Sequence, residues 1–294
     1  VMVKNRQALD FYRKVGFVFI QEGLFTMGKT TVNHLIGYKK LGKSPLLNLK
    51  TYTSFDGEGG LKSLPKLCLE LLTEQKKTWQ DLREGYESLN GIKERDLPCR
   101  GFSVRLQYNP GRIKSSTADA CRKNPNERRC FLCLDHLPEG QRGVLYRSDY
   151  LILGNPMPVF SCHFTVSQID HRPQAISEHT GTFLQLLADF GPGWSVLYNG
   201  PKCGASAPDH LHFQVAPSGQ MPIEEEIREE KRLTLITQID SASFYRVKDL
   251  GREVILLEGD DPMSMESVFK RCLDAFIRIL RVNEEPMMNI AGFY

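Results

Sequence analysis

An α+β fold built on a mainly antiparallel sheet is predicted from two features of the sequence. Segments that alternate or run apolar like strands are interleaved with segments whose apolar residues recur at helical spacing. The connections between neighbouring strand segments are short and resemble hairpins, which favours antiparallel over parallel pairing. We therefore expect an antiparallel sheet with flanking helices.

The first third of the chain, residues 1–95, is expected to be a helical or irregular extension. Residues 5–14 can form a short helix, and residues 17–55 mix short apolar runs with turn residues. A loop is predicted over Phe55–Ser63. From Leu64 to about Leu89 the apolar residues recur at helical spacing and predict one long amphipathic helix.

The rest of the chain carries most of the predicted strands. They are expected at Gly101–Pro110, Val144–Leu153, Phe160–Val166, Gly193–Gly200, His210–Pro217, Phe244–Val247, Glu253–Leu257 and Pro286–Tyr294. Helices are predicted over Ala175–Phe190 and Met265–Val282, and residues 111–142 are polar and rich in turn formers. We expect residues 96–228 to form one sheet-containing unit. Residues 229–294 are expected to begin a second one that continues beyond the end of this sequence.

Composition and charge exclude several classes of protein. The 294 residues are 41% hydrophobic and 25% charged, with a net charge of +3, which is typical of a globular protein and too balanced for a strong-field nucleic-acid binder. No apolar run reaches the roughly 18–20 residues of a membrane span, and the first residues lack the apolar core of a signal peptide. The eight cysteines then favour reduced thiols or metal ligands, and we expect a cytoplasmic protein.

The sequence His-Leu-His-Phe-Gln, from His210 to Gln214, is the strongest indication of a functional site. Residues two apart in a strand point to the same side, so His210, His212 and Gln214 share one face while the apolar residues between them face the core. Three polar groups on a buried face each need a partner. The pattern therefore favours a functional site over ordinary core packing.

The loop that precedes this strand can bind an anion. It contains Gly200, Gly204 and Ser206, and such a loop can bring backbone N–H groups close to a phosphate. Lys202 adds a positive charge. Three interpretations remain open from the residues themselves: histidines that satisfy each other in a core, a pair of metal ligands, or a histidine nucleophile that attacks phosphorus.

The segment "DHLHFQ", with "YNG" upstream of it, resembles the active-site motif of the histidine-triad superfamily. It is similar to the transferase branch, in which glutamine replaces the third histidine. That branch includes galactose-1-phosphate uridylyltransferase, dinucleoside polyphosphate phosphorylase and GDP-hexose phosphorylase, and the motif most resembles the last of these.

The resemblance extends in collinear order over roughly residues 101–226. It includes the elements "RLQYNPGR" (Arg105–Arg112), "LILGNPMPVFSCHFTVSQIDHRPQ" (Leu151–Gln174) and "MPIEEE" (Met221–Glu226). The similarity implies a histidine-triad-like fold, extended by a second half of the same type after residue 230.

The resemblance also implies roles for individual residues. His212 would be the nucleophile, His210 would orient it or bind metal, and Gln214 would hold the phosphoryl group. Residues that would bind the phosphates or the nucleotide are Gly204, Ala205, Ser206, Asn199, Asn109 and Arg112, with Lys202 beside them. The run Asn109–Gly111 is also a good β-turn in its own right.

Glutamine at position 214 bears on the type of reaction. A third histidine can protonate a leaving group and favours hydrolysis, whereas a neutral amide gives weaker acid assistance. We therefore expect ping-pong transfer, in which a nucleotide sugar or dinucleoside polyphosphate gives its nucleotidyl group to phosphate or a sugar phosphate. Alternatives are a metal-dependent hydrolase that uses the same histidines and a non-catalytic nucleotide-binding protein. The uridylyltransferase resemblance makes a homodimer an expectation too, and neither nucleic acid nor membrane is an expected partner.

Cys130 and Cys133 have the Cys-x-x-Cys spacing of metal ligands. In the uridylyltransferase relatives a similar pair is joined by two histidines, which correspond here to His171 and His210. That resemblance implies a closed structural Zn²⁺ site, although the GDP-hexose phosphorylases lack the cysteine pair. Two reduced cysteines in a loop are the open alternative. His136 and His163 are rival candidates for the fourth ligand.

Overall fold

The computed structural model describes residues 5–14, 17–39, 45–57, 62–112 and 129–294. The chain divides into two compact units, Val1–Asn48 and Leu49–Tyr294. This division lies at a different point from the boundaries expected near residues 95 and 228. Among the described residues, no helix has the length and apolar character required to span a membrane.

The first unit contains a helix and a long hairpin. Helix α1 (Arg6–Lys14) is followed by strands β1 (Phe17–Met27) and β2 (Thr30–Lys39), which pair antiparallel. The connection is a two-residue turn in which Gly28 has a φ of 64°, a conformation that glycine adopts without steric cost. The sequence patterns did not resolve these two strands.

The second unit contains the elements that position the predicted site. Helix α2 (Pro45–Lys50) leads into it across the division between the units. Its first part comprises β3 (Thr51–Phe55), α3 (Leu64–Thr78), α4 (Gln80–Glu87), β4 (Lys93–Pro98), β5 (Ser103–Tyr108), β6 (Gly143–Tyr146), β7 (Tyr150–Gly154) and β8 (Phe164–Gln168). Its second part comprises α5 (Thr180–Phe190), β9 (Trp194–Asn199), β10 (His212–Pro217), α6 (Ile223–Glu226), β11 (Leu233–Ile239), β12 (Ala242–Val247), β13 (Val254–Glu258), α7 (Pro262–Leu280) and β14 (Asn289–Phe293).

A seven-stranded sheet in the order β14-β9-β10-β8-β7-β6-β3 organises this unit. Every neighbouring pair is antiparallel except β3 and β6, which are parallel. Strands β4 and β5 form a separate hairpin, and β11, β12 and β13 form a three-stranded sheet. The predicted α+β class, with a mainly antiparallel sheet and flanking helices, is confirmed. The main sheet draws strands from all three predicted segments, and a second half-domain after residue 228 stays a prediction.

The two faces of the main sheet differ in chemistry. Helices α3, α4 and α5 pack one face, where Phe213, Val166 and Tyr198 are fully buried in the hydrophobic core. Because side chains alternate along each strand, the intervening residues of β8 and β10 lie on the other face. That face carries the predicted functional residues and is called the polar face below.

Two of the predicted elements are wrong in detail. The strand expected over Val144–Leu153 is a hairpin, because Arg147 and Ser148 take left-handed φ values of 46° and 66° and turn β6 back into β7. The helix expected from Leu64 to Leu89 is interrupted at Trp79, whose extended conformation separates α3 from α4 while its side chain stays buried in the core.

Parts of two predicted loops lie outside the described residues. Residues 113–128 make up half of the polar segment predicted at 111–142, and residues 58–61 belong to the loop predicted at Phe55–Ser63. Strands β4 and β11 had no clear signal in the sequence, because most of their side chains are exposed and give no apolar alternation.

Candidate functional site

His212 and Gln214 lie side by side on the polar face of the main sheet. On β10 they pair directly with Ser167 and Thr165 of β8, and opposite residues of an antiparallel pair point to the same side. His210 precedes the strand, and its Nε2 lies 3.2 Å from the Ser167 hydroxyl. The structure therefore brings the three motif residues together on one face, as the sequence pattern predicts.

The hydrogen bonds of His212 indicate which ring nitrogen is free. Its Nδ1 lies 2.8 Å from the His210 carbonyl oxygen, which can only accept a hydrogen bond, so Nδ1 carries the proton. Nε2 then holds the lone pair that a nucleophile needs. The side chain is only 3% exposed, and burial lowers the pKa of His212 and favours the neutral ring.

Gln174 holds the backbone of His212 and was not predicted as a site residue. Its Oε1 accepts a hydrogen bond from the His212 N–H at 2.8 Å, and its Nε2 donates to the His212 carbonyl at 3.0 Å. The same Nε2 donates to the Asn199 carbonyl at 2.9 Å. A glutamine in a polar connecting segment gives no sequence signal for this role, because its partners come from distant parts of the chain.

A second cluster lies directly beside the motif. One ligand atom from each of Cys130, Cys133, His171 and His210 lies within 4.8 Å of the others. Cys130 Sγ is 3.2 Å and Cys133 Sγ is 3.6 Å from His210 Nδ1, and Cys133 Sγ is 3.1 Å from His171 Nδ1. The four residues that the resemblance implied as metal ligands are thus neighbours in the fold.

Second contacts of the two histidines orient Nδ1 toward the cysteines. His210 Nε2 lies 2.7 Å from the Gln168 carbonyl, so it carries the proton and leaves Nδ1 with a lone pair. His171 Nε2 lies 4.0 Å from the Asp209 carboxylate. A carbonyl or carboxylate behind each ring is the usual arrangement around histidine metal ligands.

The donor set fits Zn²⁺. Bonds of about 2.3 Å to sulfur and about 2.0–2.1 Å to nitrogen place tetrahedral ligand atoms about 3.5 Å apart, close to the observed separations. Burial and the neighbouring Cys130 raise the pKa of Cys133, so two adjacent thiolates would need a cation to offset their charge. Of the rival ligands, His136 bonds the Cys130 carbonyl through Nδ1 and His163 lies against Gln214.

The predicted phosphate loop lies between β9 and β10. Gly204 has a φ of 90°, and Gly204 and Ser206 are exposed. Within the part of the chain that the structure describes, the N–H groups of Gly204 and Ala205 have no protein acceptor, which leaves them available to an anion. Lys202 forms an ion pair with Glu284, so its charge is shared with that carboxylate.

Asn109 and Arg112 lie at the end of β5. Asn109 uses both polar atoms of its side chain locally, since Oδ1 accepts from the Gly111 N–H and Nδ2 donates to Ser88. This is the turn-forming role that the sequence left open for it. Arg112 lies close enough to His163 for its charge to help lower the pKa of that histidine, so it is near the polar face.

Comparison with known protein families assigns a family to the part of the chain that carries the candidate site. Residues 71–217 match the model of a domain of unknown function, DUF4922. The chain belongs to the DUF4922 family. The four-donor cluster, His212, Gln214 and Gln174 all lie within the DUF4922 segment. No curated protein sequence matches the chain significantly.

Among solved structures, this DUF4922 chain is similar to yeast Ap4A phosphorylase Apa2. The complex of Apa2 with AMP has 17% sequence identity and a TM-score of 0.42, over 74% of this chain and 76% of that chain. A second structure of Apa2 has 16% sequence identity and a TM-score of 0.36, over 72% of this chain and 74% of that chain. The complex of Apa2 with Ap4A has 18% sequence identity and a TM-score of 0.33, over 69% of this chain and 75% of that chain.

Proposed function

We propose that this protein is a nucleotidyltransferase or phosphorylase that cleaves a nucleotide sugar or dinucleoside polyphosphate at the α-phosphate. The observation that carries the proposal is the state of His212, a buried neutral imidazole whose Nδ1–H is held by the His210 carbonyl. Its Nε2 therefore carries the lone pair required for nucleophilic attack, and the His212 side chain lies on the same face as the Gln214 amide.

In the first half-reaction, His212 Nε2 attacks the α-phosphorus. A P–N bond forms, and the P–O bond to the leaving group breaks with its electron pair on the departing oxygen. The leaving group is a sugar phosphate when the substrate is a nucleotide sugar and a nucleoside polyphosphate when it is a dinucleoside polyphosphate. The ring becomes a nucleotidyl-imidazolium, and the carbonyl bonded to Nδ1–H stabilises its positive charge. Because phosphate leaving groups depart as anions, no proton has to be donated in this step.

In the second half-reaction, an oxygen of inorganic phosphate or of a sugar phosphate attacks the same phosphorus. The P–N bond breaks and its electron pair returns to Nε2, so His212 is regenerated in its starting state. The Gln214 amide supplies N–H donors to the phosphoryl oxygens, and the free loop amides of Gly204 and Ala205 can bind the remaining phosphate. Arg112 is proposed to lie on the nucleotide side and Asn199 near the phosphates.

The proposed Zn²⁺ has a structural role in this scheme. Two cysteines and two histidines fill a tetrahedral shell, whereas a catalytic zinc retains an open position for water or substrate. The ion would fix His210, whose carbonyl orients the His212 ring. This donor count favours transfer over the alternative of a metal-dependent hydrolase built on the same histidines.

A labelling experiment without acceptor tests the proposed intermediate. The protein would be incubated with α-³²P-labelled GDP-hexose, UDP-hexose or Ap4A and then examined for an acid-labile, base-stable phosphoramidate at His212. We expect label in the wild type and none in His212→Asn, which keeps a donor for the His210 carbonyl. A matched control is His34→Asn in the β1–β2 hairpin, which should label normally.

Addition of phosphate or a sugar phosphate then distinguishes the alternatives. Release of label as a nucleoside diphosphate or a new nucleotide sugar would support transfer. Rapid hydrolysis with no covalent label would indicate a hydrolase, and tight binding without turnover of any of the three substrates would indicate a non-catalytic nucleotide-binding protein. Sedimentation velocity on the same preparation would test the expected homodimer.

A further inference from the structure

His163 lies beside Gln214 on the polar face and has no role in the scheme above. It immediately precedes β8, whose Thr165 pairs with Gln214. The side chain is only 2% exposed, and its Nε2 lies 2.8 Å from Gln214 Oε1. A buried titratable ring in contact with the proposed phosphoryl-binding residue needs an explanation.

The protonation of His163 follows from its two ring contacts. The Val159 N–H donates to Nδ1 at 3.2 Å, so Nδ1 is an acceptor and carries no proton. In the neutral ring the proton is then on Nε2, which donates to Gln214 Oε1. One backbone amide thus determines which hydrogen bond His163 can give to the glutamine.

The backbone of His163 is held as firmly as its ring. The Tyr86 hydroxyl donates to the His163 carbonyl at 3.0 Å and accepts from the His163 N–H at 3.0 Å. Tyr86 belongs to α4 and is itself buried in the core. The ring of Phe160 contacts the imidazole edge to face at a centroid distance of 5.5 Å. These contacts leave His163 little freedom to change its hydrogen bonds.

We propose that His163 is a positioning residue that fixes the orientation of the Gln214 amide for phosphoryl binding. An unrestrained side-chain amide can flip and present either its oxygen or its NH₂ group to a ligand. With Oε1 engaged by His163, the two N–H groups of Gln214 are directed elsewhere. Among the described residues they have no protein acceptor. A flipped amide would turn its oxygen toward the negatively charged phosphoryl oxygens and repel them.

This inference rests on the proposed function, and a pair of substitutions tests it. Asparagine at position 163 can still accept from the Val159 N–H but cannot reach Gln214, whereas glutamine can place an N–H donor near the position of Nε2. In single-turnover labelling of His212, we expect His163→Asn to lower the rate constant by roughly tenfold to a hundredfold, with little change in nucleotide Kd. His163→Gln should recover at least half of that loss on a logarithmic scale.

A double-mutant cycle separates positioning from a general structural effect. If His163 acts through Gln214, His163→Asn should slow labelling by less than about twofold in a Gln214→Ala background. If His163→Asn slows labelling equally in the wild-type and Gln214→Ala backgrounds, or in neither, the inference is overturned. The nucleotidyl transfer of the wild type would be unaffected by either result.

A spectroscopic measurement does not depend on activity. In protein labelled with ¹⁵N at both histidine and glutamine, wild-type His163 should give a neutral ring with a protected Nε2–H. The Gln214 NH₂ resonances should shift in His163→Asn but much less in His163→Gln. A protonated Nδ1 on His163, or Gln214 resonances that ignore both substitutions, would contradict the inference. If the wild type forms no nucleotidyl-histidine, the proposed function fails, and the spectra still decide whether His163 orients Gln214.

Discussion

The side-chain amide of Gln174 bonds both backbone groups of His212, accepting from its N–H at 2.8 Å and donating to its carbonyl at 3.0 Å. It copies the hydrogen bonds that a neighbouring strand would make at the first residue of β10. Because the same amide also donates to the Asn199 carbonyl, one buried side chain joins His212, the proposed nucleophile, to the end of β9, where the predicted phosphate loop begins.

Replacement of Gln174 is expected to affect both stability and chemistry. Gln174→Leu leaves buried backbone groups of His212 and Asn199 without partners, at a cost of about 1–3 kcal/mol for each group that water cannot reach. We expect the free energy of unfolding in urea to fall by roughly 2–4 kcal/mol and the rate of His212 labelling to fall with it. The exposed Gln220→Leu is the matched control and should change neither. Unchanged stability in Gln174→Leu would show that the two bonds contribute little.

Metal content tests the four-donor cluster. We expect about one equivalent of zinc in the purified wild type and less than about one-tenth in Cys130→Ser, because a structural site that loses a thiolate loses most of its affinity. Removal of the ion should lower Tm by roughly 5–10 °C, which corresponds to the stabilisation of about 2.7 kcal/mol given by a ligand at one hundred times its Kd. Cys99→Ser changes an exposed thiol and should keep both metal and Tm. A wild type without zinc would support the alternative, in which Cys130 and Cys133 are two reduced cysteines in a loop.

The sequence predicted the site best where reactive side chains recur at the two-residue spacing of a strand. His210, His212 and Gln214 could be placed on one face because period-two alternation is local, and the short motif specifies a strand. The cysteine pair could be recognised by its spacing, yet its partner His171 came only from the resemblance to a known family. The fold places His171 Nδ1 3.1 Å from Cys133 Sγ, a contact between residues 38 positions apart.

Residues that act by supporting others could not be predicted. Gln174, Tyr86 and His163 have no distinctive neighbours in the sequence, and the residues that each of them supports lie 25 to 77 positions away. The turn at Arg147 and Ser148 was missed for a related reason, since non-glycine residues rarely take positive φ values and no local pattern announces them. Long-range contacts, rather than local preference, decide these features.

Stability should fall in mildly acidic solution because His163 is buried in its neutral form. Burial, together with the charge of Arg112, lowers the pKa of His163 to about 4, against about 6.5 in an unfolded chain. Between these values the unfolded state binds more protons, so stability is unaffected above pH 6.5 and decreases as the pH falls toward 4. At pH 5 this group alone should cost about 2 kcal/mol relative to pH 7.5.

Urea unfolding of the wild type and His163→Gln at both pH values measures this contribution. The variant has no titrating ring, so its loss between pH 7.5 and pH 5 should be smaller than that of the wild type by about 2 kcal/mol. Phe160→Leu changes the packing around the His163 imidazole but keeps that imidazole, so this variant should keep the wild-type pH dependence. Identical pH dependence in His163→Gln and the wild type would show that His163 is not held neutral by the fold.

Gly85 of α4 lies close against the segment that leads to His163. A Cβ atom at this position would lie 1.9 Å from the Pro156 carbonyl oxygen and 3.2 Å from Pro158 Cδ, so an alanine must push the helix and the segment apart. We expect Gly85→Ala to lower the free energy of unfolding by roughly 1–3 kcal/mol despite the better helix propensity of alanine. His212 labelling should slow as well, because the adjacent Tyr86 holds His163. Gly91→Ala has open space around its Cβ and serves as the control. Equal stability and labelling rates in the two variants would mean that this close approach is not required for the site.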